Sequence, residues 1–349
     1  MGISLLFLGG GAYKKRIQLS HSYDDIVSLE NLCAAWQEFI VGKRQKHDVQ
    51  HFSRNLMDHI VALHQDLANR TWHHGGYESF FVNDPKRRHI HKASVRDRLV
   101  HRATYRILYP FFERIFIADS FSCRDEKGTH KALAQFKAMT YQVSKNHTRT
   151  CWVLKCDIKK FFDSIDHAML LKILYEYIPD PSTQELLKNV VESYSKEGTA
   201  GVGLPLGNLT SQLFANVYLN IYDQWMKHHV KATHYIRYAD DFVILSENRE
   251  WLAALVPKIK TFLQQRLKLI LHPHKLSIAT FASGVDFLGW VHFPDHKVVR
   301  PTTARRMLRR VQDHPTQETV SSYLGLLQHG NTYKLRGQVK SIAWLWHER

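Results

Sequence analysis

Residues Tyr235–Leu245 read YIRYADDFVIL, a run of strand-forming residues with two carboxylates, Asp240 and Asp241, at its centre. Aspartate is depleted in strands, and adjacent negative charges repel unless a cation lies between them. The apolar runs HYIRY and DFVIL flank Ala239–Asp240, so the spacing predicts a hairpin with the carboxylates at its turn. A second acid closes another apolar run: Trp152–Ile158, WVLKCDI, reads as a short strand carrying Asp157 near its end, just before Phe161-Phe162. An isolated Asp-Asp pair is most often a solvated turn. Here the flanking strands and the third acid set the pair apart.

Carboxylates on adjacent strand ends suit hard divalent cations. Magnesium accepts oxygen ligands, uses few carboxylates, and fills its other positions with water and substrate phosphates. Transfer of a nucleotide to a 3′-hydroxyl uses two such ions about 4 Å apart, one lowering the hydroxyl pKa and both stabilising charge on phosphate and pyrophosphate.

The remaining composition is compatible with that chemistry. In 349 residues, Lys plus Arg outnumber Asp plus Glu by 48 to 32, a net charge of +16 that favours a polyanionic partner. Cys33, Cys123, Cys151 and Cys156 form no C-x-x-C pair, which supports neither a zinc ribbon nor a disulfide framework and reads as reduced thiols in a cytosol. The N-terminal ISLLFLGGG is too short for a signal peptide, and no apolar run is long enough to span a bilayer. HDVQH at His47–His51, His73-His74 and His89-Ile90-His91 hint at metal ligation, but the first has Asp where a zinc protease has Glu, and all three read as structural.

Along the chain, residues up to about 75 have apolar positions at helical spacing in LENLCAAWQEFIVGKR and FSRNLMDHIVALHQDL. In SCRDEKGTHKALAQFKAM, Thr129 is placed to cap a helix carrying Ala132, Leu133 and Phe136 inward. FFDSIDHAMLLKILYEYI is a helix capped near Asp163 or Asp166, and TSQLFANVYLNIYDQW is another. A helix follows around Leu252–Leu267, then strands near LSIAT and DFLGWVHF, and a basic helical tail from Pro301. Helices with a small acid-tipped sheet imply an α+β core with helical appendages.

In that order, the segments resemble those of a reverse transcriptase. RRHIHKASVRDRLVHRA and SFSCRDEKGTHKAL resemble the two fingers motifs, and CDIKKFFDSIDH the first acidic motif. GLPLGNLTSQLFANVYLN resembles the loop-helix motif and RYADDFVIL the signature turn; LKLILHPHKLSI and DFLGWVHF resemble the closing palm motifs. The resemblance covers roughly residues 85 to 293. It implies a right-hand polymerase with a small antiparallel palm sheet and helical N-terminal and thumb regions. The expected divisions are a helical region at 1–75, fingers at 76–150, palm at 151–295 with fingers helices inserted at about 167–200, and thumb at 296–349.

Roles carry over motif by motif. The resemblance implies that Asp157, Asp240 and Asp241 are catalytic and hold two magnesium ions, with the Ile158 carbonyl as a further ligand. Phe162 matches the steric gate against a ribose 2′-hydroxyl, whereas neighbouring Phe161 suits the core. Arg124 matches an arginine over the triphosphate of an incoming deoxynucleotide, or is a solvated surface residue, and Lys275 falls near a lysine able to protonate pyrophosphate. Arg87, Arg88, Arg96, Arg98 and Arg102 form the densest basic cluster and are the expected RNA-backbone contacts, some of them being exposed helix charges instead.

One departure narrows the family. Many reverse transcriptases have Pro-Gln-Gly where this chain has Pro205-Leu206-Gly207-Asn208 followed by Leu209-Thr210-Ser211-Gln212. Leu206 removes a polar contact to the incoming nucleotide, or simply packs against the helix. This form, and the tail SYLGLLQHGNTYKL, resemble the enzymes of diversity-generating retroelements, which copy a template-repeat RNA into adenine-mutagenised cDNA for mutagenic retrohoming. The resemblance implies template RNA, cDNA and deoxynucleotides as partners, a small basic oligomeric accessory protein, and a bacterial or phage origin. The rivals are another prokaryotic reverse transcriptase (retron, group II intron or abortive-infection type) and a catalytically silent RNA-binding scaffold.

Overall fold

The computed structural model describes residues 17–83 and 87–347, and the ISLLFLGGG stretch lies outside them. The chain divides into two compact units, each built from separated segments: residues up to Ile115 with Ile165–Tyr218, and Phe116–Ser164 with Leu219 onward.

In the first unit the N-terminal helices are Tyr23–Val27, Leu29–Phe39, His47–Arg54 and Leu56–Ala68, matching the helical periodicity of the sequence. Their inward positions, among them Leu32, Ala35, Trp36 and Leu63, are buried. Each large apolar side chain so buried contributes about 1.5–3 kcal/mol. Ser28 caps the second helix through the Asn31 amide. β1 (Tyr77–Val82) pairs antiparallel with β2 (Arg88–Ala93), and Ser94 caps helix Val95–Glu113. Asp166 accepts from the Met169 amide and caps His167–Tyr177; Asp180 caps Pro181–Glu192.

The second unit holds the predicted strands. β3 (Trp152–Asp157), β4 (Tyr235–Tyr238), β5 (Asp241–Ser246) and β6 (Ser277–Thr280) form an antiparallel sheet in the order β4-β5-β3-β6. Alternate side chains of β3, β4 and β5 face different partners. Val153, Ile236, Val243 and Leu245 join a cluster with Leu133 and Phe136 of helix Thr129–Val143. Leu154, Cys156, Phe242 and Ile244 are equally buried, and helix Arg249–Leu267 packs on β3 and β5. Both faces are covered, so DFVIL carries no polar alternation and its charge is confined to the end.

Two expectations are corrected. Thr129 is the first residue of its helix, with Gly128 at the cap position, and its hydroxyl donates to Tyr238 Oη at 3.0 Å. DFLGWVHF is a hairpin: β7 (Val285–Phe287) and β8 (Trp290–His292) pair across Leu288 and Gly289, both at positive φ, and β9 (Lys297–Val299) completes a three-stranded sheet. The C-terminal helices are Pro301–Asp313, Gln317–Leu327 and Tyr333–His347.

Candidate active site

The register of β3 on β5 places Asp157 directly opposite Asp241. Paired residues share a sheet face with their Cβ atoms about 4.5–5.5 Å apart. Tyr238 pairs with Asp241 on the other side, so Ala239 and Asp240 make the two-residue turn, and the Ile158 amide donates to the Asp240 carbonyl at 3.2 Å. A further connection fixes the tip of β3 from its other edge. The Lys159 amide donates to Ile270 at 2.9 Å, and the His272 amide to Asp157 at 2.7 Å. Asp157 and the adjacent pair Asp240-Asp241, distant in sequence, are therefore brought to one end of the sheet.

Their electrostatics follow from that crowding. Burial pushes the Asp241 carboxyl up to about 6; the Lys155 ammonium opposes the shift, while the charges of Asp157 and Asp240 and a hydrogen bond with Asp157 add to it. Asp157 is 6% exposed, and Lys275 Nζ donates to its Oδ2 at 2.7 Å. Among the described residues no group of three or more His, Cys, Asp or Glu side chains is placed to hold a metal ion by itself. The donor set nevertheless fits a hard divalent cation: it offers only oxygen, its charge is compressed, and such ions complete their shells with water and phosphate.

Sequence reasoning missed the pair that supports the turn. Arg237 of β4 and Asp223 of helix Leu209–Gln224 are both fully buried, joined by Nη2–Oδ2 at 2.6 Å and Nε–Oδ1 at 2.8 Å. Tyr235 Oη also donates to Asp223 Oδ1, at 2.7 Å. Arg237 Nη1 donates to the Ala239 carbonyl at 3.2 Å, holding a residue at φ 54°, a left-handed conformation that costs a non-glycine residue about 1–3 kcal/mol. The available signal was an arginine inside the apolar run YIRY and an aspartate on an otherwise apolar helix face.

The other predicted residues are distributed more widely. Phe162 begins the 3₁₀ turn Phe162–Ser164, half-buried, while Phe161 is in the core with the rings 5.4 Å apart. Arg124 is 9% exposed, its Nη1 donating to the Ile117 and Ser120 carbonyls at 2.6 and 2.7 Å and its guanidinium over the Phe116 ring, so it is not a solvated surface arginine. In the first unit, Leu206 is half-buried and its carbonyl accepts from the His91 amide at 3.0 Å. Asn208 Nδ2 returns a bond to the His91 carbonyl, and Thr210 Oγ1 meets buried His101 Nδ1 at 2.7 Å. This loop is thus stitched to β2.

The basic cluster divides. Arg87 and Arg88 are exposed, with Arg87 4.0 Å from the Phe81 ring centroid. Arg96, Arg98 and Arg102 instead pair with Asp66, Asp48 and Glu38 of the N-terminal helices. Their charge is answered by carboxylates within the unit.

Paired strand-end carboxylates, the YADD turn and small antiparallel sheets among helices define the class: a polymerase of the right-hand fold. Within that class the chain belongs to the reverse transcriptase family, since residues 83–292 match the family described as Reverse transcriptase (RNA-dependent DNA polymerase). Members of this family use divalent metal ions. Protein YkfC of Escherichia coli K12 is 26% identical over 261 residues, covering 64% of this chain and 66% of YkfC. The group II intron-encoded protein LtrA of Lactococcus lactis is 22% identical over 320 residues, covering 71% of this chain and 51% of LtrA. The retron Ec83 reverse transcriptase of Escherichia coli is 27% identical over 127 residues, covering 34% of this chain and 40% of that protein. The chain therefore spans about two thirds of the length of YkfC and half that of LtrA. No helix of the described residues is long and apolar enough to cross a membrane.

Proposed function

We propose that this chain is an RNA-directed DNA polymerase that copies a template-repeat RNA into error-prone, adenine-mutagenised cDNA in a diversity-generating retroelement. The observation that carries the polymerase reading is the register of Asp157 opposite Asp241, with the Asp240 carbonyl bonded to the amide of Ile158, just past β3. A silent RNA-binding scaffold gains nothing from buried carboxylates that repel.

Asp157, Asp240 and Asp241, with the Ile158 carbonyl, would hold two magnesium ions. When bound, these supply positive charge that activates the 3′-hydroxyl and screens the reacting phosphates. The protein's own groups do the rest. Lys155 and Lys275 limit the repulsion among the acids, and Lys275 is the candidate proton donor to departing pyrophosphate. Phe162 crowds the sugar 2′ position. Arg124 acts on the triphosphate through the loop it pins to the Ile117 and Ser120 carbonyls. Arg87 and Arg88 contact the RNA backbone, and a small basic oligomeric protein assists.

The retroelement assignment rests on Leu206. Its backbone is anchored to His91, whereas its side chain offers the incoming nucleotide no hydrogen bond. A second reading, an intron- or retron-type enzyme, is favoured by the LtrA match across 71% of the chain and by the retron match. Extension of a primed RNA with magnesium and all four deoxynucleotides, followed by product sequencing, separates them. Errors concentrated at template adenines, reduced about tenfold by Leu206→Gln, as one added hydrogen bond would allow, support the retroelement. Errors spread evenly over the template bases contradict it, and absence of any product contradicts polymerase function.

A further inference from the structure

A cavity of about 530 Å³ lies within the second unit, lined by helix Thr129–Val143, the β7–β9 sheet and the loop at His329–Asn331. None of its lining residues belongs to the carboxylate site. Its walls carry a pattern unlike a simple packing defect. His130 and Lys137 come from one helix face, and the His130 ring lies 4.3 Å from that of His329. Across from them, Phe293 and His296 stack at 4.8 Å with their planes 12° apart. The Lys297 ammonium sits 4.8 Å from the Trp290 ring centroid. Partial burial and the charge of Lys137 hold Lys297 below the usual lysine range, so two cations face the same space.

His292 supplies the second, independent observation. It lines the cavity, is 5% exposed, and its Nε2 has no hydrogen-bond partner. The Phe287 backbone beside the ring partly opposes the effect of burial. Burial keeps the imidazole neutral down to about pH 4. Nε2 is therefore a buried polar nitrogen without a partner, the kind of group that a ligand's hydrogen bond satisfies.

We propose that this cavity binds a nucleotide unit: the phosphate between Lys137 and Lys297, the base against the imidazole and phenyl walls, and a sugar hydroxyl or exocyclic amine hydrogen-bonded to His292 Nε2. Phosphate alone explains neither the volume, which is that of a small-molecule site, nor the buried nitrogen. The same chemistry is offered by a free mononucleotide and by the phosphorylated end of a strand.

Calorimetric titration of the full chain in chelator distinguishes these, with adenosine 5′-monophosphate, inorganic phosphate and a 5′-phosphorylated RNA decamer as probes. The nucleotide is expected to bind at least tenfold more tightly than phosphate. The Lys137→Met/Lys297→Met double variant, which keeps the side-chain stem over Trp290, should weaken it at least tenfold, and Asp241→Asn should leave it unchanged. Equal loss for nucleotide and decamer assigns both sources, and loss for the nucleotide with the decamer unaffected assigns the free mononucleotide. Nucleotide binding that survives the double variant, that disappears with Asp241→Asn, or that is no tighter than that of phosphate overturns the proposal. So does failure of every probe to bind.

Discussion

Asp241 shows what a crowded, largely buried carboxylate costs a fold. Its carboxyl titrates near 6 in the folded chain, above the ordinary 3.8. The folded state thus gains stability from proton binding below pH 4 and loses it as pH rises through 6. Asp241→Asn should therefore raise the stability of chelator-treated protein by about 1–2 kcal/mol at pH 8 after allowance for screening, with no gain at pH 4. Chemical denaturation at the two pH values checks this; a loss at pH 8 would mean that the crowding is already compensated. The acids were legible in the sequence because an Asp inside a strand pattern contradicts its surroundings. Arg124, Arg96, Arg98 and Arg102 were not, because a sequence displays a charge without its counter-charge: Arg98 meets Asp48 from 50 positions away. Leu206 was legible only as a departure from a pattern, and its tie to His91 belongs to the folded loop.

At the level of elements, the β4–β5 hairpin depends on a buried ion pair that apolar periodicity does not reveal. Asp223→Asn would leave Arg237 buried against a neutral partner, and loss of such a partner costs about 3–5 kcal/mol. Replacing both, as Asp223→Leu/Arg237→Met, should recover most of that stability while synthesis stays low, because the Ala239 carbonyl loses its donor. Recovery of both stability and synthesis would reduce the pair to a packing role. The central hairpin and the helices flanking it follow from periodicity and turn residues. The β1–β2 hairpin did not, because its Arg and His residues sit on largely exposed strands with no apolar face to alternate. DFLGWVHF looked like one strand because its turn is two residues, Leu288 and Gly289, of which only glycine signals positive φ.

For the molecule as a whole, the net charge of +16 favours a polyanionic partner, but the structure divides that charge unequally. Arg87→Ala/Arg88→Ala should weaken RNA binding and lower the salt slope by roughly one for each phosphate left unneutralised. Arg98→Ala should leave the slope unchanged and instead cost about 1 kcal/mol of stability, because its partner is Asp48. Binding isotherms across a salt series separate the two; an equal change in slope for both would show that the ion pairs open to RNA. The central claim remains that Asp157, Asp240 and Asp241 form one catalytic group. Its most direct test is primer extension by Asp240→Asn and Asp241→Asn variants, with RNA affinity measured on the same preparations. The account predicts that synthesis is abolished while RNA affinity stays within about threefold of the parent, a shift of under 1 kcal/mol. Synthesis at the parent rate in either variant would contradict it.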